Sequence, residues 1–78
     1  MKLYVVWNRD TDKLVMIAPI RVIGTHYHFH KDAENRAEAN PAGADFYPKD
    51  RDGTRCHIHI ALAENVTYDR VEASLPRV

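Results

Sequence analysis

Apolar and β-branched residues dominate from Lys2 to Trp7. They give way to the polar segment Asn8-Arg9-Asp10-Thr11-Asp12-Lys13 and return at Leu14-Val15-Met16-Ile17. Two such runs joined by a short polar link predict a β-hairpin. Pro19 has no N–H and belongs at a strand end, a bulge or an edge. Ile20-Arg21-Val22-Ile23 reads as a continuation of the second strand past that kink, and Gly24 breaks the run. Thr25-His26-Tyr27-His28-Phe29-His30 then alternates without a gap. On a strand this pattern turns Tyr27 and Phe29 to the core and leaves His26, His28 and His30 on the open side.

The pattern changes at Lys31. Residues 31–40 (KDAENRAEAN) predict a helix, with Ala33 and Ala37 on one face and Asp32 and Arg36 paired on another. Asp32 suits the first turn, where the helix end is partly positive, and Pro41 and Gly43 stop the helix. A helix this short must dock on the sheet to persist, and its alanine face permits close approach. Residues 41–53 read as a loop with Phe46 and Tyr47 tucked back on the core, closed by an Asp52-Gly53 turn. Arg55 to Leu62 alternates again: Cys56, Ile58 and Ile60 fall on one face, His57 and His59 on the other. Residues 66–75 fit either a fourth strand, favoured by Val66-Thr67-Tyr68, or a helix capped by Thr67.

These elements predict an α+β fold, a single domain over residues 1–78. It is a small antiparallel sheet of three to four strands with one helix packed on one face. A chain of 78 residues buries only about 60% of the surface its unfolded form exposes. One helix leaves the opposite sheet face poorly covered, which implies a homodimer or a partner laid across it.

Composition narrows the setting. Eleven basic and eleven acidic side chains cancel, so no overall positive field draws the chain to nucleic acid. Cys56 is the only cysteine, which excludes a disulfide within the chain and suggests a reducing compartment. The apolar run Leu3 to Trp7 is shorter than a signal-peptide core, and nothing approaches the ~20 apolar residues of a membrane span. The expected location is the cytoplasm, with no membrane partner.

The chemistry of the chain gathers in its histidines, all five of which lie in the two alternating runs. If those strands are neighbours, His26, His28, His57 and His59 share one surface, and three readings stand beside one another. A half-exposed sheet needs polar outward positions, and histidine fills them without further role. Imidazoles two apart on a strand can aim at one ion, so the same four residues are the candidate set for zinc, structural or hydrolytic. Spacing places no carboxylate behind them, and Cys56 points away. Finally, clustered imidazoles beside Arg55, Arg51 and Lys49 can meet phosphates or an acidic protein surface, making His26, His28, His57, His59 and Arg55 the candidate binding residues. The inward aromatic positions do not suit base stacking. Asp50-Arg51-Asp52-Gly53 lacks the sixth-position glycine and closing glutamate of a calcium loop and reads as a turn. Cys56 reads as a small core residue.

His26-Tyr27-His28-Phe29-His30 resembles the opening of the histidine-triad motif of nucleotide hydrolases and transferases, in which one histidine attacks phosphorus. The family continues with two apolar positions, where this chain has Lys31-Asp32. No other motif supports a reaction. In size and in its hairpin–helix–strand order the whole chain resembles the small proteins that bacteriophages make to block host machinery, anti-CRISPR proteins among them. That resemblance implies a binding protein acting by occlusion on a host protein or nucleoprotein complex, and it assigns no residues.

Overall fold

The computed structural model describes residues 2–28 and 31–66. Strands β1 (Tyr4–Asn8) and β2 (Lys13–Ala18) form the expected hairpin. Its turn is built by Asn8, whose side-chain oxygen accepts the N–H groups of Asp10 and Thr11 at 2.8 and 3.1 Å. This is the local bonding that makes asparagine a turn residue. The pairing slips after Val6, so that Val6 faces Met16 but Trp7 faces Leu14. The slip leaves Val15 as an extra residue on β2, a bulge of the kind that blunts edge strands.

The chain then departs from expectation. Residues 20–27 do not extend β2; they form helix α1 (Ile20–Tyr27), with Pro19 at its N-cap. The spacing explains the difference. Ile20, Ile23 and Tyr27 recur at helical intervals, and Ile23 and Tyr27 are buried while Val22, next to Ile23, is exposed. Pro19 fixes its own φ and loses no hydrogen bond at a helix start. Burial pushes the Tyr27 phenol up to about 12. The helix ends at His28, which takes a left-handed conformation with φ of 57°. An L-residue there carries a steric cost that glycine avoids. The left-handed cost of about 1–2 kcal/mol exceeds the entropic cost of glycine, about 0.5–1 kcal/mol, so His28→Gly is expected to raise the melting midpoint slightly, and a lower midpoint would contradict this.

Helix α2 (Lys31–Ala39) follows as predicted, with Ala33 and Ala37 buried. Glu38 ties it to the sheet by accepting hydrogen bonds from the Lys2 ammonium and the Tyr4 hydroxyl. Those donors hold the Glu38 carboxyl below its usual range, Lys2 foremost. Arg36 reaches β3 (Ala44–Phe46), a strand where the sequence suggested only loop. Its guanidinium lies 4.5 Å from the Phe46 ring centre and donates to the Asp45 carbonyl. After a turn stitched by the Asp50 side chain, which accepts from Asp52 and Thr54, β4 (Ile58–Leu62) completes the sheet.

All pairings are antiparallel, in the order β2-β1-β4-β3. Alternation sorts the strands into two faces. Tyr4, Val6, Ile58, Ile60 and Leu62 meet Ile23, Tyr27, Ala33 and Ala37 from both helices, and Phe46 tucks in as expected. Cys56 packs partly against this cluster, and burial raises its thiol. The opposite face is not open at its centre, contrary to the sequence reading. Val5, Trp7 and Ala61 are each 1% exposed, with Leu14, Ala63 and Val66 around them. A short 3-10 helix, Ala63–Asn65, follows β4. No described helix is long and apolar enough to cross a membrane. The alternative of strand or helix for residues 66–75 falls outside the described residues beyond Val66, as do Phe29 and His30.

Candidate functional site

The four candidate histidines divide between two places. His26 lies on α1 and His28 caps it, on the helix-covered side of the sheet. His59 lies opposite Trp7 on the other side, its ring centre 6.1 Å from the indole. The histidine strand expected at 25–30, and the single surface of four imidazoles built on it, are therefore not formed by the described residues. The histidine-triad likeness loses its strand for the same reason: 26 and 27 turn with a helix.

His57 and His59 do share a face, as alternation predicted, and they share a partner that spacing did not supply. Asp45 on β3 sits opposite His59 in register. Its Oδ1 lies 3.1 Å from His59 Nδ1 and 3.2 Å from His57 Nε2. The hydrogen bond from His59 foremost, with that from His57, holds the Asp45 carboxyl below its usual range against the opposing effect of burial. The other nitrogen of His59, Nε2, lies 2.7 Å from the carbonyl oxygen of Ala42. His59 is 6% exposed; His57 is half-buried, and Tyr47 stacks on its ring at 4.5 Å between centres. Tyr47 thus lies outside the core, 59% exposed, rather than tucked into it.

Gly43 makes the approach to His59 possible. Its φ is +88°, and a Cβ there would lie 2.5 Å from His59 Nε2 and 2.6 Å from the Ile60 carbonyl oxygen. The glycine read from sequence as a helix stop is also the residue that lets the turn close over the ring.

A carboxylate orienting an imidazole is a unit of general-base chemistry. Here no serine, threonine or cysteine side chain among the described residues is hydrogen-bonded to either ring. Zinc needs a lone pair from each histidine, and both nitrogens of His59 already face oxygens. No group of three or more His, Cys, Asp or Glu side chains among the described residues is placed to hold a metal ion.

The second place is a groove of about 370 Å³ where α1 meets the 48–53 loop, lined by Met16, Arg21, Val22, Thr25, His26 and Arg51. Arg51 also lines an adjoining hollow with His28, Lys49 and Asp50. Neither arginine is in an ion pair among the described residues. Arg55, by contrast, is turned back to the Tyr47 carbonyl. On a strand Arg21 and Val22 would lie apart from the histidines; helical spacing is the signal that brings them beside His26. Comparison with known protein families, characterised proteins and solved structures finds no match.

Proposed function

We propose that the protein is a binding module that acts by covering part of a partner protein or nucleoprotein, and that the groove between α1 and the 48–53 loop is its centre of contact. The observation that carries this reading is Val22, 45% exposed, in a groove whose charged members Arg21 and Arg51 are both cationic and joined by His26. Arginine is enriched at protein interfaces, and the exposed Val22 between the two gives the groove apolar surface to bury. The cations favour an acidic partner and speed encounter with it. The resemblance in size and element order to phage host-inhibitors implies the same mode of action. Occlusion asks only for area and complementarity, and a domain this small has little else to offer.

The test is retention of a partner from host lysate by the tagged protein and by an Arg21→Glu/Arg51→Glu variant. Both sites are exposed, so the variant should keep its melting temperature. It is expected to hold the partner at least tenfold more weakly, a loss of about 1.4 kcal/mol. Equal retention by a folded variant refutes the assignment of the groove.

A further inference from the structure

We propose that Tyr47 and His57, with Lys49 and Arg55 beside them, form a stacking platform for an unpaired base of single-stranded nucleic acid. The ladder between β3 and β4 pairs Phe46 with Ile58, and an isolated bridge beyond it pairs Lys49 with Arg55. Both pairs keep one register, so the ribbon runs on past β3 and sets Tyr47 opposite His57. The two rings meet there, 4.5 Å apart between centres and 18° from parallel. Alternation places Asp45, Tyr47 and Lys49 on one face of the ribbon with Arg55, His57 and His59. This is the Trp7 side of the sheet, away from the α1 groove, and the site does not depend on that groove.

One side of the Tyr47 ring is taken by His57, yet the residue is 59% exposed, so its other side meets solvent. The platform is pinned from beneath. His57 Nε2 lies 3.2 Å from Asp45 Oδ1, and the His57 backbone N–H donates to Asp10 Oδ2 at 3.0 Å. Arg55 donates to the Tyr47 carbonyl, which sets its guanidinium beside residue 47 and leaves further N–H groups to donate. A ring held in this way has little side-chain freedom left to lose when something stacks on it.

The neighbours on that face indicate the ligand. Lys49 and Arg55 stand about 7 Å along the ribbon from the rings, and Arg51 follows at the turn. An open aromatic ring with cations one step away suits a base and its adjoining phosphate. The nearby carboxylates are engaged: Asp45 with both imidazoles, Asp10 with the His57 N–H, and Asp50 with the amides of Asp52 and Thr54. Asp52 is left against Lys49, Arg51 and Arg55. An apolar protein side chain laid on Tyr47 would meet a charged rim instead of apolar surface. Stacking of this kind accepts any base. The chain is neutral overall, so binding is weak and falls with salt.

Fluorescence anisotropy with labelled decathymidylate and decauridylate at low salt tests the platform. Tyr47→Ala should weaken binding of the strand at least about tenfold, whereas Tyr47→Phe, which keeps a ring to stack on, should retain it. Both variants should keep their melting temperature, because the site is exposed. Lys49→Gln/Arg55→Gln should reduce the slope of log K against log salt by about 1.4, the loss of two single-strand phosphate contacts. Arg21→Gln, on the other side of the sheet, should bind as before, and loss of binding there overturns the proposal. Undiminished affinity in folded Tyr47→Ala overturns it, as does equal affinity for a duplex of the same length, whose bases are already stacked. Tighter binding of polyglutamate would mark an acidic protein as the partner of this face and is likewise a refutation, as is no binding of either strand at millimolar concentration. If Tyr47→Ala does not fold, the ring-proton resonances of Tyr47 and His57 in the unaltered protein decide. Stacking shifts them upfield, and resonances unmoved at saturating oligonucleotide overturn the proposal.

Discussion

Trp7→Ala is expected to destabilise the protein by about 3–5 kcal/mol, the range for removing a large aromatic ring from a packed interior. Trp7 is 1% exposed on the sheet face away from the helices, packed with Val5 and Ala61. A single core in a domain this small rarely supplies more than about 3–5 kcal/mol of net stability, so the variant should stand near the edge of unfolding at room temperature. The comparison that gives the number meaning is Ile17→Ala. Ile17 pairs with Val5 across the hairpin and so lies on the same face, yet it is 47% exposed. Its loss should cost below about 1 kcal/mol. Urea unfolding of both variants checks the contrast. Similar costs would mean that the second face has no core at its centre.

Gly43→Ala carries the next largest effect. Two penalties fall on one methyl group. The left-handed backbone costs about 1–2 kcal/mol for an L-residue, and forcing a carbon against packed neighbours adds about 1–3 kcal/mol. The second neighbour is a backbone oxygen of β4, at 2.6 Å from the added carbon, which no rotamer change can move. Gly53 provides the control. Its φ is +81°, but nothing lies within 4 Å of an added Cβ, so Gly53→Ala should show the backbone penalty alone. Guanidinium unfolding of the pair therefore separates crowding from conformation; equal losses would deny the close approach of the turn to His59.

Much of this architecture is legible in the residues. Polar Asn8 to Lys13 between apolar runs marks the hairpin, the alanines at 33 and 37 mark the docking face of α2, and Ile58 and Ile60 alternate with His57 and His59 on β4. Each of these signals is local, and each works because side-chain direction follows the period of its own element. The misreadings have physical causes too. Ile20 to Ile23 is rich in β-branched residues, whose propensity for strands is a weak preference. The spacing of Ile20, Ile23 and Tyr27 competes with that preference, and burial of the stripe decides for the helix. His26 and His28 inherit the error, because alternation means opposite faces only on a strand.

Asp45 was illegible for another reason. It lies on a three-residue strand inside a loop-like sequence, and its partners are His57 and His59, brought to it only by the pairing of β3 with β4. No pattern around Asp45 announces that pairing. The same holds for Gly43, whose chain neighbours suggest a helix stop and whose spatial neighbours include His59 and Ile60.

The strand order sets when the protein can exist at all. The central pair of the sheet joins residues 4–8 to residues 58–62, so β1 leaves the ribosome well before the strand it pairs with. Until then the hairpin, the two helices and β3 have no common surface to assemble on, since β4 is the strand that links β1 to β3. Pairing across such a separation slows folding. A chain cut short before residue 58 would lack the strand that covers one edge of β1, leaving Val5, Val6 and Trp7 without their β4 neighbours, which makes it a substrate for proteases rather than a smaller version of the domain.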